Sequence, residues 1–110
     1  MQSFFSTMFP KFFNYFRNEL WRRNAYHSNS MALILAEKMK KLNGVSITQP
    51  VQSNGVFAII PGNVAEKVSN TYFFYPWNEL KSEYRLMTSW DTKETDIDDF
   101  VILLERELNK

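Results

Sequence analysis

The chain has 110 residues, a formal charge of +1 from thirteen basic and twelve acidic side chains, and no cysteine. That length is about one domain able to bury roughly two thirds of its unfolded surface, and the near-neutral balance gives no whole-chain electrostatic case for nucleic acid or an anionic membrane. Without cysteine there are no disulfides, thiolate zinc sites, iron–sulfur clusters or thiol nucleophiles.

No apolar run approaches the ~18 residues of a membrane span, and the opening "MQSFFSTMFPKFF" lacks the basic start and long apolar core of a signal peptide. A soluble, cytoplasmic protein is expected. The aromatic load is heavy: ten phenylalanines, five tyrosines and three tryptophans beside only three glycines. Phe4, Phe5, Phe9, Phe12, Phe13 and Phe16 cluster near the start, and a second group runs from Tyr72 to Trp77. Two readings stay open, an aromatic core or surface covered by something outside the chain.

In chain order, Phe12, Phe13, Phe16 and Leu20 fall at helical spacing behind Pro10, which predicts a short helix. A second amphipathic helix is predicted over 28–42, with Met31, Leu35, Met39 and Leu42 on one stripe and lysines near its end. Asn43 and Gly44 supply the residue types that stop helices. "VSIT" (45–48) and "VFAII" (56–60) read as strands separated by turn chemistry. "NVAEKVSN" then offers Asn63 as a cap, with Val64, Ala65 and Val68 on one side of one or two helical turns.

"TYFFY" (71–75) is strand-like, and Pro76 is expected to end it. In "YRLMTSW" Tyr84, Leu86, Thr88 and Trp90 alternate with Arg85, Met87 and Ser89, so Arg85 points away from the more apolar face. The last segment is a helix capped by Thr92, acidic in its first turns, with Ile97, Phe100, Val101, Leu104 and Leu108 as its buried stripe. The expected fold is α+β: a small, mostly antiparallel sheet of three to four strands with helices packed on one face. Nothing divides the chain into two compact units; residues 1–27 read as an N-terminal aromatic helix or arm and 28–110 as the α+β domain.

Catalytic chemistry is poorly supplied. His27 is the only histidine, has no nucleophile elbow to serve, and reads as a partly exposed helix or cap residue. Asp91, Glu94, Asp96, Asp98 and Asp99 begin a helix rather than a glycine-bearing cation loop, so no metal site is expected. The glycines are too dispersed for a phosphate loop. Lys11, Arg17, Arg22 and Arg23 lie among aromatics, a mix that can serve single strands, yet Glu19 interrupts them and they spread around a helix. Arg85 has two readings: a surface or cross-strand ion-pair residue, or a fixed fork for bidentate capture of a carboxylate.

"RLMTSWDTKETDIDDFV" resembles the closing segment of the low-specificity L-threonine aldolases, in the wider β-eliminating lyase group of pyridoxal-phosphate enzymes. "LWRRNAYHSNSMALILAEKMKKLNGV" and "PVQSNGVFAIIP" agree in order and spacing, so the likeness covers residues 19 to 108. The family is similar in fold to aspartate aminotransferase, and the resemblance implies that this chain corresponds to its small C-terminal α+β domain. It further implies that Arg85 binds the α-carboxylate of an amino-acid substrate, and that the intact parent uses pyridoxal phosphate to cleave L-threonine or allo-threonine to glycine and acetaldehyde.

The chain departs from the family in having no stretch like the cofactor-lysine strand or the phosphate-binding and ring-stacking residues. No catalytic, cofactor-binding or metal-binding residue is therefore expected, no cofactor is expected for this chain alone, and alone it should be inactive. Residues 1–18 match the family poorly, which suggests a divergent interface helix or a start inside a longer or disrupted reading frame. The implied partners are the amino-acid substrate, a missing large domain or second subunit, and further copies in a homo-oligomer; neither nucleic acid nor membrane is expected. The alternative is a free-standing small-ligand-binding or protein-interaction module derived from that domain.

Overall fold

A computed structural model describes residues 14–110, with side chains from residue 19 onward. The predicted aromatic cluster from Phe4 to Phe13 lies outside the described residues, as do Lys11 and the side chains of Phe16 and Arg17.

The elements follow as α1 (Asn14–Lys40), β1 (Ser46–Ile47), β2 (Gly55–Ile59), α2 (Gly62–Val68), β3 (Tyr75–Asn78), a 3-10 turn (Glu79–Lys81), β4 (Glu83–Met87) and α3 (Glu94–Leu108). The two helices expected at the start are one. Between Leu20 and Ser28 there is no glycine or proline, and Ser28 returns its hydroxyl to the Asn24 carbonyl at 2.8 Å instead of opening the helix. The boundary drawn between residues 27 and 28 falls inside this helix.

α1 ends where expected, with Lys38 and Lys40 in its last turn and Gly44 at φ 95°, a left-handed conformation that glycine takes without steric cost. Other ends differ from their sequence signals. Pro61, and not Asn63, stands at the N-cap of α2, its carbonyl accepting the Ala65 N–H at 2.9 Å. Thr92 does not cap α3: its hydroxyl accepts the Ser89 N–H at 2.9 Å, while Asp96 closes the helix start by accepting the Lys93 N–H at 2.9 Å.

β3 lies later than its aromatic run. The N–H groups of Thr71 and Tyr72 both bond the Val68 carbonyl at 3.0 Å, so the start of "TYFFY" closes α2 and cannot join a sheet. The strand instead runs through Pro76, which is tolerated because β3 is an edge strand.

The sheet has four antiparallel strands in the order β1-β2-β4-β3. Its pairing puts Phe57 opposite Arg85 and Tyr75 on Arg85's other side. Period-two alternation then sends Val56, Ala58 and Leu86 into the core, together with Met31, Leu35 and Met39 of α1, Val64 and Val68 of α2, and Ile97, Phe100 and Leu104 of α3. All three helices therefore lie on one face of the sheet, as the apolar stripes require. Each fully buried Leu, Met or Val contributes about 1.5–3 kcal/mol relative to exposure. Phe74 and Phe100 are aromatic core residues, as the first reading of the aromatic load requires, while Phe73 and Trp77 stay exposed. No described helix is long and apolar enough to cross a membrane.

Candidate functional site

The face turned away from the helices carries Gly55, Phe57 and Ile59 from β2, Tyr75 and Trp77 from β3, and Glu83, Arg85 and Met87 from β4. Arg85 stands at its middle, on an inner strand, with neighbours from β2 and β3 on either side. Its guanidinium carbon is 6.0 Å from the Phe57 ring centre and 5.6 Å from that of Trp77, within cation–π range of both. The two rings meet edge to face at 5.0 Å.

Arg85 Nε is buried without a hydrogen-bond partner. Among the described residues no carboxylate pairs with this guanidinium. The nearest acid along the same face, Glu83, is buried and accepts instead from the Thr48 hydroxyl at 2.6 Å. A half-buried cation with unclaimed donors has free capacity for an anion, and the planar fork of arginine suits a carboxylate. Of the two sequence readings of Arg85, the cross-strand ion pair is thus not formed.

The other singled-out residues are absorbed by structure. His27 is half-buried, and its Nε2 lies 2.6 Å from the Thr92 carbonyl, tying α1 to the loop before α3. Asp98 and Glu94 pair with Lys38, the latter at 3.5 Å. Hydrogen bonding to Asp98 and the two negative charges hold the Lys38 ammonium above its usual 10.5, against a smaller opposing effect of burial. Asp91 accepts from the Ser89 hydroxyl at 2.5 Å. No group of metal-ligating side chains converges among the described residues. Arg22 and Arg23 are exposed, Arg22 standing 4.0 Å from Glu19.

A lysine that forms an imine with a cofactor aldehyde needs its neutral amine accessible in a dry pocket. The described lysines do not fit. Lys38 pairs with Asp98 and Glu94, Lys40 and Lys110 pair with Glu37 and Glu107, and Lys41, Lys67, Lys81 and Lys93 are exposed.

A separate cavity of about 240 Å³ opens between β4, the Tyr72–Phe74 segment and the start of α3. It is walled by Leu35, Phe74, Leu86, Ile97 and Phe100, and Arg85 does not line it. Tyr72 at its edge packs edge to face on Phe100 at 5.1 Å. Burial, with the charges of Asp99 and Asp96 adding to it, raises its phenol above the ordinary 10.0.

The sequence places Phe57 in a strand and Trp77 in an aromatic group, but neither at the Arg85 site. Phe57 could have been found from the antiparallel pairing of "VFAII" with "YRLM"; Trp77 could not, because its place depends on a bulge.

No family model matches the chain. Over 77 residues, 70% of its length, it is 33% identical to the low-specificity L-threonine aldolase of a Pseudomonas species. It is 35% identical over 77 residues, 69% of its length, to the enzyme of that name from Pseudomonas aeruginosa. Each match takes in 22% of the relative, so the chain spans about a fifth of the length of these curated relatives. The solved threonine aldolase of Leishmania major superposes with a TM-score of 0.65 and 34% identity, over 73% of this chain and 24% of that one. In sequence and in fold, the chain is homologous to a part of the low-specificity L-threonine aldolases.

Proposed function

We propose that this chain acts as the C-terminal small domain of a threonine-aldolase-type lyase, with Arg85 binding the α-carboxylate of the amino-acid substrate. The observation that carries this reading is the state of Arg85: central on the helix-free sheet face, held by aromatic rings, and unpaired by any described acid. A substrate carboxylate supplies the acceptors that the protein withholds, and two parallel charge-assisted bonds fix the orientation of the amino acid as well as its position.

In the intact enzyme pyridoxal phosphate would supply the electron sink for cleaving L-threonine or allo-threonine to glycine and acetaldehyde. The lysines described above do not suit that cofactor, so it is assigned to residues of a large domain or a second subunit, and no reaction step is assigned to this chain. Its own contribution is to bind the carboxylate and cover the site. The stretch up to residue 27 serves as the connection and 28–110 as the closing domain. Further copies of the chain and a cytoplasmic setting belong to the same reading.

Calorimetry with L-threonine and glycine tests the carboxylate site. Binding by the wild-type chain that is lost in Arg85→Ala is expected; equal binding by the two proteins would remove Arg85 from the site. The 110 residues mixed with pyridoxal phosphate are expected to show no imine absorbance band and to release no glycine from threonine. Appearance of both would place the cofactor amine within this chain.

A further inference from the structure

The sequence places one residue too many in β3. Pro76 stands opposite Tyr84 and Asn78 opposite Glu83, so Trp77 has no partner across the ladder. Such a bulge re-aims the side chain of the extra residue and sharpens the local twist. Here it lets the Trp77 ring cross β4 and meet Phe57, which comes from the strand on the other side. Both rings also meet the Arg85 guanidinium.

The choice of partners has a chemical consequence. An acidic neighbour would hold the guanidinium by using up the donors that a ligand needs. Aromatic faces hold the cation through their quadrupoles and accept no N–H in the plane of the fork. The Nε is shut away without a partner, whereas the terminal nitrogens are neither buried in that way nor engaged by a described group. On the stem side, Gly55 leaves little spare room: a Cβ there would come within 3.7 Å of Arg85 Nε and 3.3 Å of Met87 Sδ.

We infer that Phe57 and the bulged Trp77 are positioning residues, an aromatic clip that restricts Arg85 to one orientation with its terminal nitrogens free for a carboxylate. The inference rests on the carboxylate-site reading above and names what prepares that site. A long, flexible arginine gives up much rotamer freedom when a ligand fixes it, and a side chain already confined gives up less. The clip therefore acts on affinity through preorganisation, and neither ring needs to touch the ligand.

The test uses the whole chain with nitrogen-15 labelling. Exchange of the Arg85 Nε proton with water is measured, and the Arg85 resonances are then followed during titration with L-threonine and with glycine. Trp77→Leu and Phe57→Leu are expected to speed that exchange and weaken binding about three- to tenfold, with the thermal midpoint little changed. Trp77→Phe should recover part of both effects. If Trp77→Leu unfolds the chain, Phe57→Leu and the milder Trp77→Phe carry the same comparison. Wild-type exchange and affinity in these variants, with binding still lost in Arg85→Ala, overturn the clip and leave the carboxylate site standing. No ligand shift in the wild type, or undiminished binding in Arg85→Ala, overturns the carboxylate reading and the clip with it.

Discussion

The two faces of this sheet are built by different rules. The helix-covered face is mostly apolar, with Val56, Ala58 and Leu86 packed among side chains from all three helices. The opposite face sets an arginine among aromatic rings, with Thr48 and Glu83 bonded to each other nearby. Burial of apolar surface, which needs no direction, holds the first together. The second keeps at its centre a cation that rests against two rings and is paired with no described acid, which leaves directional capacity for a ligand. Stability and binding should therefore be separable by face.

The largest effect on folding is expected at Leu104, which is fully buried. Leu104→Ala should cost about 2–5 kcal/mol from lost transfer energy and the cavity left behind, read by urea unfolding. A cost below 1 kcal/mol would mean that the helix layer is not the core.

Thr88 joins the covered face to α1, donating to the Ser28 carbonyl at 2.6 Å from a buried position. Thr88→Val keeps the shape and removes the hydroxyl, so a loss of about 1–3 kcal/mol is expected. Next comes Gly44→Ala, at about 1–2 kcal/mol, because φ 95° strains any residue with a Cβ.

On the open face Arg85→Met should change unfolding free energy by no more than about 0.5 kcal/mol, since it removes an orphaned Nε together with the charge. The same variant should lose amino-acid binding in calorimetry. Loss of several kcal/mol of stability instead would erase the distinction between the faces.

The smallest effect is an alkaline one. Tyr72 has its folded pKa raised above 10.0, chiefly by burial. The folded state therefore keeps its phenolic proton longer than the unfolded chain does. The associated stability is fully present below pH 10 and declines as pH rises through the folded value. Lys38, raised above 10.5 by its bond to Asp98, adds a loss of the same sign in the next stretch of pH. Tyr72→Phe should flatten the first part of the decline in thermal midpoints, and an unchanged slope would exclude Tyr72 as its source.

Local signals served best where one physical cause acted alone. The stripes of 28–42 and of the last helix read correctly because 3.6-residue periodicity and burial coincide there. Errors came where two uses competed for one group. Thr92 looked like a cap, but its hydroxyl was taken by Ser89 N–H; Thr71 and Tyr72 looked like strand, but their amides were taken by the end of α2. The division at residue 27 lies within α1, which runs on across it because no glycine or proline there interrupts the helix.

What the sequence determined by itself was the order of elements from residue 28 onward, the apolar faces of the helices and of β4, and the direction of Arg85 away from the core. Each of these follows from periodicity along a short stretch. Only the tertiary structure decided what surrounds Arg85. Phe57 is separated from it by 28 positions in the numbering, and Trp77 reaches it through a bulge whose register is set by the partner strand. Contacts between strands depend on pairing register, and a shift of one residue would have sent both rings elsewhere.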